Sequence, residues 1–317
     1  MATGHGLPVM ATAGRPSASW VPRAGKVEDA GLRRPLLSRP VVSHYGAPRC
    51  SNTGESFQMS NKLKARLAAG KAAVNGWLAI PSGFSAEVMA QCGWDSVTVD
   101  MQHGVQDYQS MVQCFQAMQA HPITPLCRVP WNEPGIIGKA LDGGSMGIIC
   151  PMVNNAAEAK ALADACMYPP LGKRSNGPIR AAMYGEASGY QKTANDEILV
   201  IPMIETQAGI DNIDEILSVP GISGIYIGPS DMGLSLGMIP ILDRREPIIM
   251  EIYAKLLASC KKHGKFAGLH NGSASYAAEM FKMGFQLSTI ANDSGLMAKA
   301  AREAVAQARK EGGPVAN

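Results

Sequence analysis

No Cys-x-x-Cys pair occurs in the chain, although seven cysteines do, at positions 50, 92, 114, 127, 150, 166 and 260. That absence excludes zinc ribbons and thioredoxin-like redox sites. Most of the cysteines sit inside apolar runs and read as reduced core residues of a cytoplasmic protein, not as a disulfide framework. No stretch approaches the roughly 18 consecutive apolar residues of a membrane span, so no membrane contact is expected. Gly143-Gly144 is not a dinucleotide fingerprint, because no G-x-G-x-x-G follows a candidate strand, and no phosphate-binding P-loop is present. No Ser or Cys stands in a recognisable nucleophile setting.

A surplus of one charge is also missing where it would matter. The formal net charge is +3, but residues 1–58 hold seven Lys/Arg against three Asp/Glu, leaving 22 against 23 in residues 59–317. With no cationic block in that longer part, nucleic acid is not an expected partner. Residues 1–58 are rich in Pro, Gly, Ser and Arg and lack periodic apolar spacing, so they are expected to be a disordered N-terminal extension. An Arg-rich, acid-poor leader is similar to an organelle transit peptide, but no amphipathic pattern supports it. A start placed upstream of Met59 is the plainer reading, and the expected location is cytoplasmic.

What is present is regular. The 317 residues are 46% hydrophobic and 17% charged, enough apolar material for a large core. From residue 60 onward, short apolar runs at 75–80, 96–100, 123–128, 147–150, 198–205, 224–228, 266–270 and 286–290 alternate with helical patterns. Two stretches are expected as irregular connections, 168–192 and 229–243. Eight strand-helix units over about 250 residues is the count of a (β/α)8 TIM barrel, with residues 59–317 as one domain. A doubly wound open sheet is the runner-up.

In such a barrel, function gathers at the C-terminal ends of the strands. Those ends carry Asp100 and His103, Arg128, Glu205, Asp231 and His270. No lysine stands in this set, which argues against Schiff-base chemistry. Glu205 closes the run EILVIPMIE, and Asp231 lies in GPSDMG at the end of the next strand. Two neighbouring carboxylates repel unless a proton or cation lies between them, and their hard oxygens suit a divalent ion. They could equally cap the following helices or pair with Arg128, and position alone does not choose. Ser230 and Asp231 expose amides in a turn that could hold a carboxylate. Arg128 interrupts an apolar strand and must face an anion, either a ligand or an internal partner such as Asp100 or Glu205. His103, three residues beyond Asp100, is a candidate general base, with a surface histidine as the alternative.

The segments VDMQHG, RVPWNEP, ALDGGSMGIICPMVNNAAEA, YPPLGKRSNG, IETQAGIDNIDEIL and IGPSDMG occur in this order. Together they resemble the HpcH/HpaI aldolase/citrate lyase family, specifically its class II, metal-dependent pyruvate aldolases, over residues 60 to 310. The resemblance implies cleavage of a 4-hydroxy-2-oxo acid of the 2-keto-3-deoxy type to pyruvate and an aldehyde, in aromatic or sugar-acid catabolism. It implies Glu205 and Asp231 as ligands of a divalent metal ion (Mg2+, Mn2+ or Co2+), and His103 as the base. It likewise implies that Arg128 is the enolate-stabilising arginine and that Ser230 with Asp231 forms the turn that holds the pyruvate carboxylate. By the same resemblance, Asp142 is expected to be the aspartate that reaches a neighbouring subunit's histidine, in a homohexamer whose last helix is exchanged between barrels. Met203 stands where relatives often have a substrate-contacting glutamine, and Gln102 where many have glutamate. His270 is expected to line the substrate pocket and supply polarity lost at Met203. Two alternatives are a carbon–carbon lyase acting on a CoA thioester and a non-catalytic 2-oxo-acid binder.

Overall fold

The computed structural model describes residues 60–184 and 189–313; the expectation for residues 1–58 lies outside them. After helix α1 (Lys62–Ala68), the chain runs β1 (Ala73–Leu78), α2 (Gly83–Ala90), β2 (Ser96–Asp100), α3 (Tyr108–Met118), β3 (Thr124–Arg128), α4 (Pro134–Asp142), β4 (Gly147–Cys150) and α5 (Ala156–Cys166). The second half contains α6 (Tyr190–Glu197), β5 (Leu199–Ile204), α7 (Gln207–Asp211), α8 (Ile213–Ser218), β6 (Gly224–Ile227), α9 (Pro229–Ser235), α10 (Pro247–Lys262), β7 (Phe266–Asn271), α11 (Ala274–Met283), β8 (Leu287–Ile290) and α12 (Asp293–Glu311). All strand pairs are parallel, and β1 pairs with both β2 and β8, so the sheet closes on itself. The open doubly wound sheet is thereby excluded.

Local chemistry sets the helix starts. Asp107 and Ser110 form a reciprocal capping box at α3, each side chain taking the other residue's amide proton at 2.8 Å. Glu133 caps α4 with Pro134 in its first turn, where the missing N–H removes nothing the helix needs. Besides β1, which begins and ends two residues before the expected 75–80 run, two connections differ from the sequence reading. The 229–243 connection opens with α9, because Pro229 presets a helical φ and Asp231 favours the first turn. The 168–192 connection contains a 3-10 turn at 181–184 and the start of α6.

Period-two alternation divides the core. On β5, Leu199, Ile201 and Met203 join Trp77, Leu126, Tyr226 and Leu287 inside the barrel, while Val200 and Ile204 pack outward in the layer that contacts the helices. Leu63 and Leu67 of α1 join the interior cluster and so close the N-terminal end. One interior layer is polar. The Asn75 amide nitrogen donates to the Thr98 and Thr289 hydroxyls at 3.0 and 2.8 Å, and its carbonyl oxygen accepts from Ser96 at 2.8 Å. With donors and acceptors matched, these groups avoid the cost of unpaired burial. They form a floor beneath the strand ends.

Candidate active site

The same alternation aims the strand-end side chains. Asp100 continues the inward set of β2 after Ser96 and Thr98, and Arg128 continues that of β3 after Leu126. The two are direct partners in the β2–β3 register. Their pairing is bidentate: Arg128 Nε donates to Asp100 Oδ1 at 2.7 Å and Nη2 to Oδ2 at 2.6 Å. Trp77 Nε1 donates to Oδ2 at 3.1 Å, and the backbone N–H groups of Gln102 and His103 donate to Oδ1 at 3.1 and 3.3 Å. The guanidinium carbon also stands 4.8 Å from the centre of the Trp77 ring. Burial alone would raise the Asp100 carboxyl, but Arg128 holds it below the usual carboxylate range. Of the anions left open by sequence, Arg128 therefore takes an internal one, Asp100, through two of its nitrogens, and Nη1 lies outside that fork. His103 follows directly on an exposed turn, with its backbone tied to Asp100.

Across the mouth, Glu205 extends the inward set of β5 and is 3% exposed. Ile204 pairs with Ile227 on β6, so Glu205 stands beside Gly228. A Cβ at position 228 would lie 2.3 Å from Glu205 Oε2, which only glycine accommodates. The other oxygen, Oε1, accepts from the Met152 backbone N–H at 2.8 Å. Met152 adopts φ +57°, a left-handed conformation that L side chains disfavour. Burial, with the Asp231 charge adding to it, pushes the Glu205 carboxyl up to about 7. Asp231 is exposed in the first turn of α9 next to Ser230, where backbone amides have no acceptor within the helix. Among the described residues no group of three or more His, Cys, Asp or Glu side chains converges. A metal here would have two protein carboxylates, with its remaining positions open to water and ligand oxygens. A buried carboxylate with one backbone amide as its hydrogen-bond partner, beside a second carboxylate and seated on a glycine, fits a divalent cation with oxygen preference.

His270 ends the inward set of β7. Its Nδ1 lies 3.0 Å from the Tyr226 hydroxyl, which donates to Thr289 at 2.6 Å. Its ring meets Trp77 edge-on at 4.8 Å. Burial and the nearby Arg128 lower it to about 4, so it is neutral at physiological pH. Met203 is buried in the same interior cluster as Trp77 and Tyr226, and its methyl carbon would be 3.0 Å from a Cβ at Gly228. Asp142 stands apart. It ends α4, where the chain turns back toward the start of β4, and its Oδ1 accepts from Arg174 Nη2 at 2.7 Å.

Five residues near these groups went unnamed in the sequence reading: Trp77, Met152, Tyr226, Arg174 and Arg244. Trp77 and Tyr226 were legible as inward positions of β1 and β6. Arg244 is wholly buried and donates to Pro229 O at 3.0 Å, to Glu246 at 2.7 Å and to Ile239 O, which pins the segment after Asp231. A Cβ at Gly233 would collide with its guanidinium. Met152 gives no sequence signal at all. The buried thiols Cys127 and Cys150 are pushed far up by burial, so neither is a thiolate nucleophile. A cavity of about 400 Å3 bordered by Phe115, Ile123 and Tyr190 lies at the start of β3, away from the strand ends described above.

The sequence profile of the HpcH/HpaI aldolase/citrate lyase family matches residues 76–300. A hydroxypyruvate/pyruvate aldolase from Rhizorhabdus wittichii is 39% identical over 250 residues, covering 78% of this chain and 99% of the relative. A 4-hydroxy-2-oxo-heptane-1,7-dioate aldolase from Escherichia coli is 31% identical over 251 residues, covering 78% and 95%. Among solved structures, an HpcH/HpaI aldolase/citrate lyase family protein from Burkholderia cenocepacia J2315 superposes with a TM-score of 0.75 at 29% identity, covering 79% of this chain and all of the other.

Proposed function

The chain belongs to the HpcH/HpaI aldolase/citrate lyase family, and from that premise we propose that it is a carbon–carbon lyase cleaving a 4-hydroxy-2-oxo acid to pyruvate and an aldehyde, and catalysing the reverse addition. The observation that carries this reading is Glu205: a buried carboxyl pushed up to about 7, beside Asp231 and facing the Asp100–Arg128 pair across one mouth. Glu205 and Asp231 would hold a divalent ion, for which Mg2+, Mn2+ and Co2+ are the candidates. When bound, such an ion supplies Lewis-acid polarisation of the 2-oxo group.

The protein's own groups divide the remaining work. The first-turn amides of Ser230 and Asp231 bind the substrate carboxylate. His103 takes the proton from the C4 hydroxyl, directly or through water. The C3–C4 bond then breaks, its electron pair passing into the enolate of pyruvate while the aldehyde carbonyl forms at C4. Arg128, fixed by Asp100 and Trp77, stabilises the developing negative charge with the guanidinium face outside the fork. Met203 and His270 shape the part of the pocket beside Trp77, and the neutral imidazole supplies a polar edge. Asp142 serves a neighbouring copy's His103 rather than its own, which agrees with its place at the far end of α4.

That arrangement requires a homo-oligomer, a hexamer by resemblance. In α12, Asp293 is the only residue buried, while Met297 and Val305 are 61% and 49% exposed. A 19-residue helix with so little covered on its own chain supports its exchange between barrels. No helix of the described residues is long and apolar enough to cross a membrane, and we assign the protein to the cytoplasm, in catabolism of aromatic compounds or sugar acids.

The test is aldol formation from pyruvate and a panel of aldehydes after chelation and with each candidate ion restored. Activity should vanish with chelator and return with the ion. In His103→Ala, turnover should fall by roughly 10²- to 10⁴-fold while ion affinity is retained. Full activity of the chelated protein would overturn the ion's role, and unchanged turnover in His103→Ala would remove the base.

A further inference from the structure

Arg174 lies at the end of the YPPLGKR segment, in the connection after α5, and none of the chemistry above uses it. Yet it is 4% exposed, and a guanidinium so enclosed is costly unless its surroundings are arranged for it. The guanidinium carbon sits 4.5 Å from the centre of the Tyr168 ring and 5.5 Å from that of Tyr190. The two rings meet edge to face at 6.4 Å. Nη1 and Nη2 both donate to the Tyr190 hydroxyl at 3.2 Å, and Nη2 also donates to Asp142 Oδ1 at 2.7 Å. Planarity and two aromatic faces leave the guanidinium little freedom to turn.

The carboxylate it grips is placed differently. The Asp142 side chain is 28% exposed, and it borders a groove of about 620 Å3 between α4 and α5. Gly135, Gly138, Ala161 and Ala165 border the same groove, together with the charged Lys139, Asp164 and Lys173. A free aspartate at a helix end samples several rotamers. Here one oxygen is tied to an immobile cation, which sets the plane of the carboxylate and leaves Oδ2 for the groove.

The geometry points to Arg174 as a positioning residue: clamped between Tyr168 and Tyr190, it fixes Asp142 so that Oδ2 meets the His103 of a neighbouring copy. This rests on the reading that Asp142 serves that histidine. Its consequence is for basicity. A carboxylate held against an imidazole keeps it more basic, and one free to swing away does not.

The experiment uses the full chain and follows retro-aldol cleavage of 4-hydroxy-2-oxopentanoate with Mg2+ across pH 5 to 9. Asp142→Asn is expected to lower kcat by about 100-fold, to leave KM unchanged, and to move the acid limb of kcat/KM down by about one pH unit. Arg174→Met should move the limb the same way by about half as much, lower kcat by about tenfold, and leave ion affinity and oligomer mass as in wild type. The double variant should match Asp142→Asn alone. An acid limb unmoved in Arg174→Met while Asp142→Asn shifts it would overturn the clamp and spare the role of Asp142. Losses that multiply in the double variant would also overturn it. An unmoved limb in Asp142→Asn would remove the role of Asp142 itself, and the clamp with it. If Arg174→Met does not melt cooperatively, Tyr190→Phe takes its place: it removes the hydroxyl but keeps both rings, should shift the limb slightly in the same direction, and refutes the clamp if the profile is that of wild type.

Discussion

Two buried carboxylates face each other across the mouth of the barrel, and their environments have opposite effects. Asp100, on the β2–β3 side, is met by a bidentate arginine, an indole N–H and two backbone amides, and is held below the usual carboxylate range. Glu205, on the β5–β6 side, receives one backbone amide and a second carboxylate, and is pushed up to about 7. The first side is electrostatically complete within one chain and can act as a rigid wall. The second is incomplete without an added cation. A divalent ion bound there would meet a mouth whose opposite wall does not need to rearrange, which is the condition for strong electrostatic stabilisation of a developing charge.

Substitution should separate the two sides sharply. Glu205→Gln is expected to cost the largest factor, about 10³-fold or more in turnover, because several kcal/mol of charge stabilisation are lost with the ion. Yet in the ion-free protein the same change should stabilise the fold. A carboxyl whose folded value lies above its unfolded one has its proton held in the native state; the resulting stability is complete below pH 4.5 and is lost as pH rises through about 7. At pH 8 the glutamine variant, which has no such loss, should melt higher than the chelated wild type by an amount on the order of 2 kcal/mol. A lower melting temperature there would mean that Glu205 is compensated by something within the chain. Asp100→Asn should do the reverse. It leaves Arg128 buried without its anion, so stability should drop by about 3–5 kcal/mol with or without a divalent ion, measured by denaturant unfolding. A drop under about 1 kcal/mol would show the fork to be no stronger than a surface pair.

How much of this contrast was legible in the sequence follows from what each residue depends on. The barrel was legible because eight apolar runs alternate with helical spacing, and the strand-end set followed from the rule that function in such a barrel gathers at the C-terminal ends of the strands. Arg128 was read as needing an anion, but the choice of Asp100 required the β2–β3 register, which the sequence does not state. Gly228 stands in the sequence only as the first residue of GPSDMG, and the β5–β6 register is what makes Glu205 its neighbour. Met152 was invisible, because its contribution is a backbone amide turned by a positive φ and not a side chain. Arg174 and Arg244 were invisible as well: each stands in a connection beside another cation, Lys173 and Arg245, and only tertiary burial distinguishes it from a solvated one. The helix at 229–235 was read as loop because its glycine and proline are breakers in most contexts, whereas Pro229 in a first turn is a helix starter.

The smallest effect tests the floor that both walls share. His270 touches Trp77, which binds the Asp100–Arg128 pair, and Tyr226, which lies beside Met203 in the interior cluster. Lowered to about 4, its imidazole resists the proton that an unfolded histidine accepts near 6.5. The native state is therefore favoured fully above pH 6.5 and loses that advantage as pH falls from 6.5 toward 4. In wild type this should remove stability on the order of 2 kcal/mol across that window, after allowance for the ring's partial exposure. His270→Phe keeps the edge-to-face contact with Trp77 and cannot be protonated, so its stability relative to wild type should improve steadily from pH 6.5 to 4. Parallel pH profiles for the two proteins would place the imidazole in water. In that case the polar edge assigned to the pocket beside Met203 would have to come from another group.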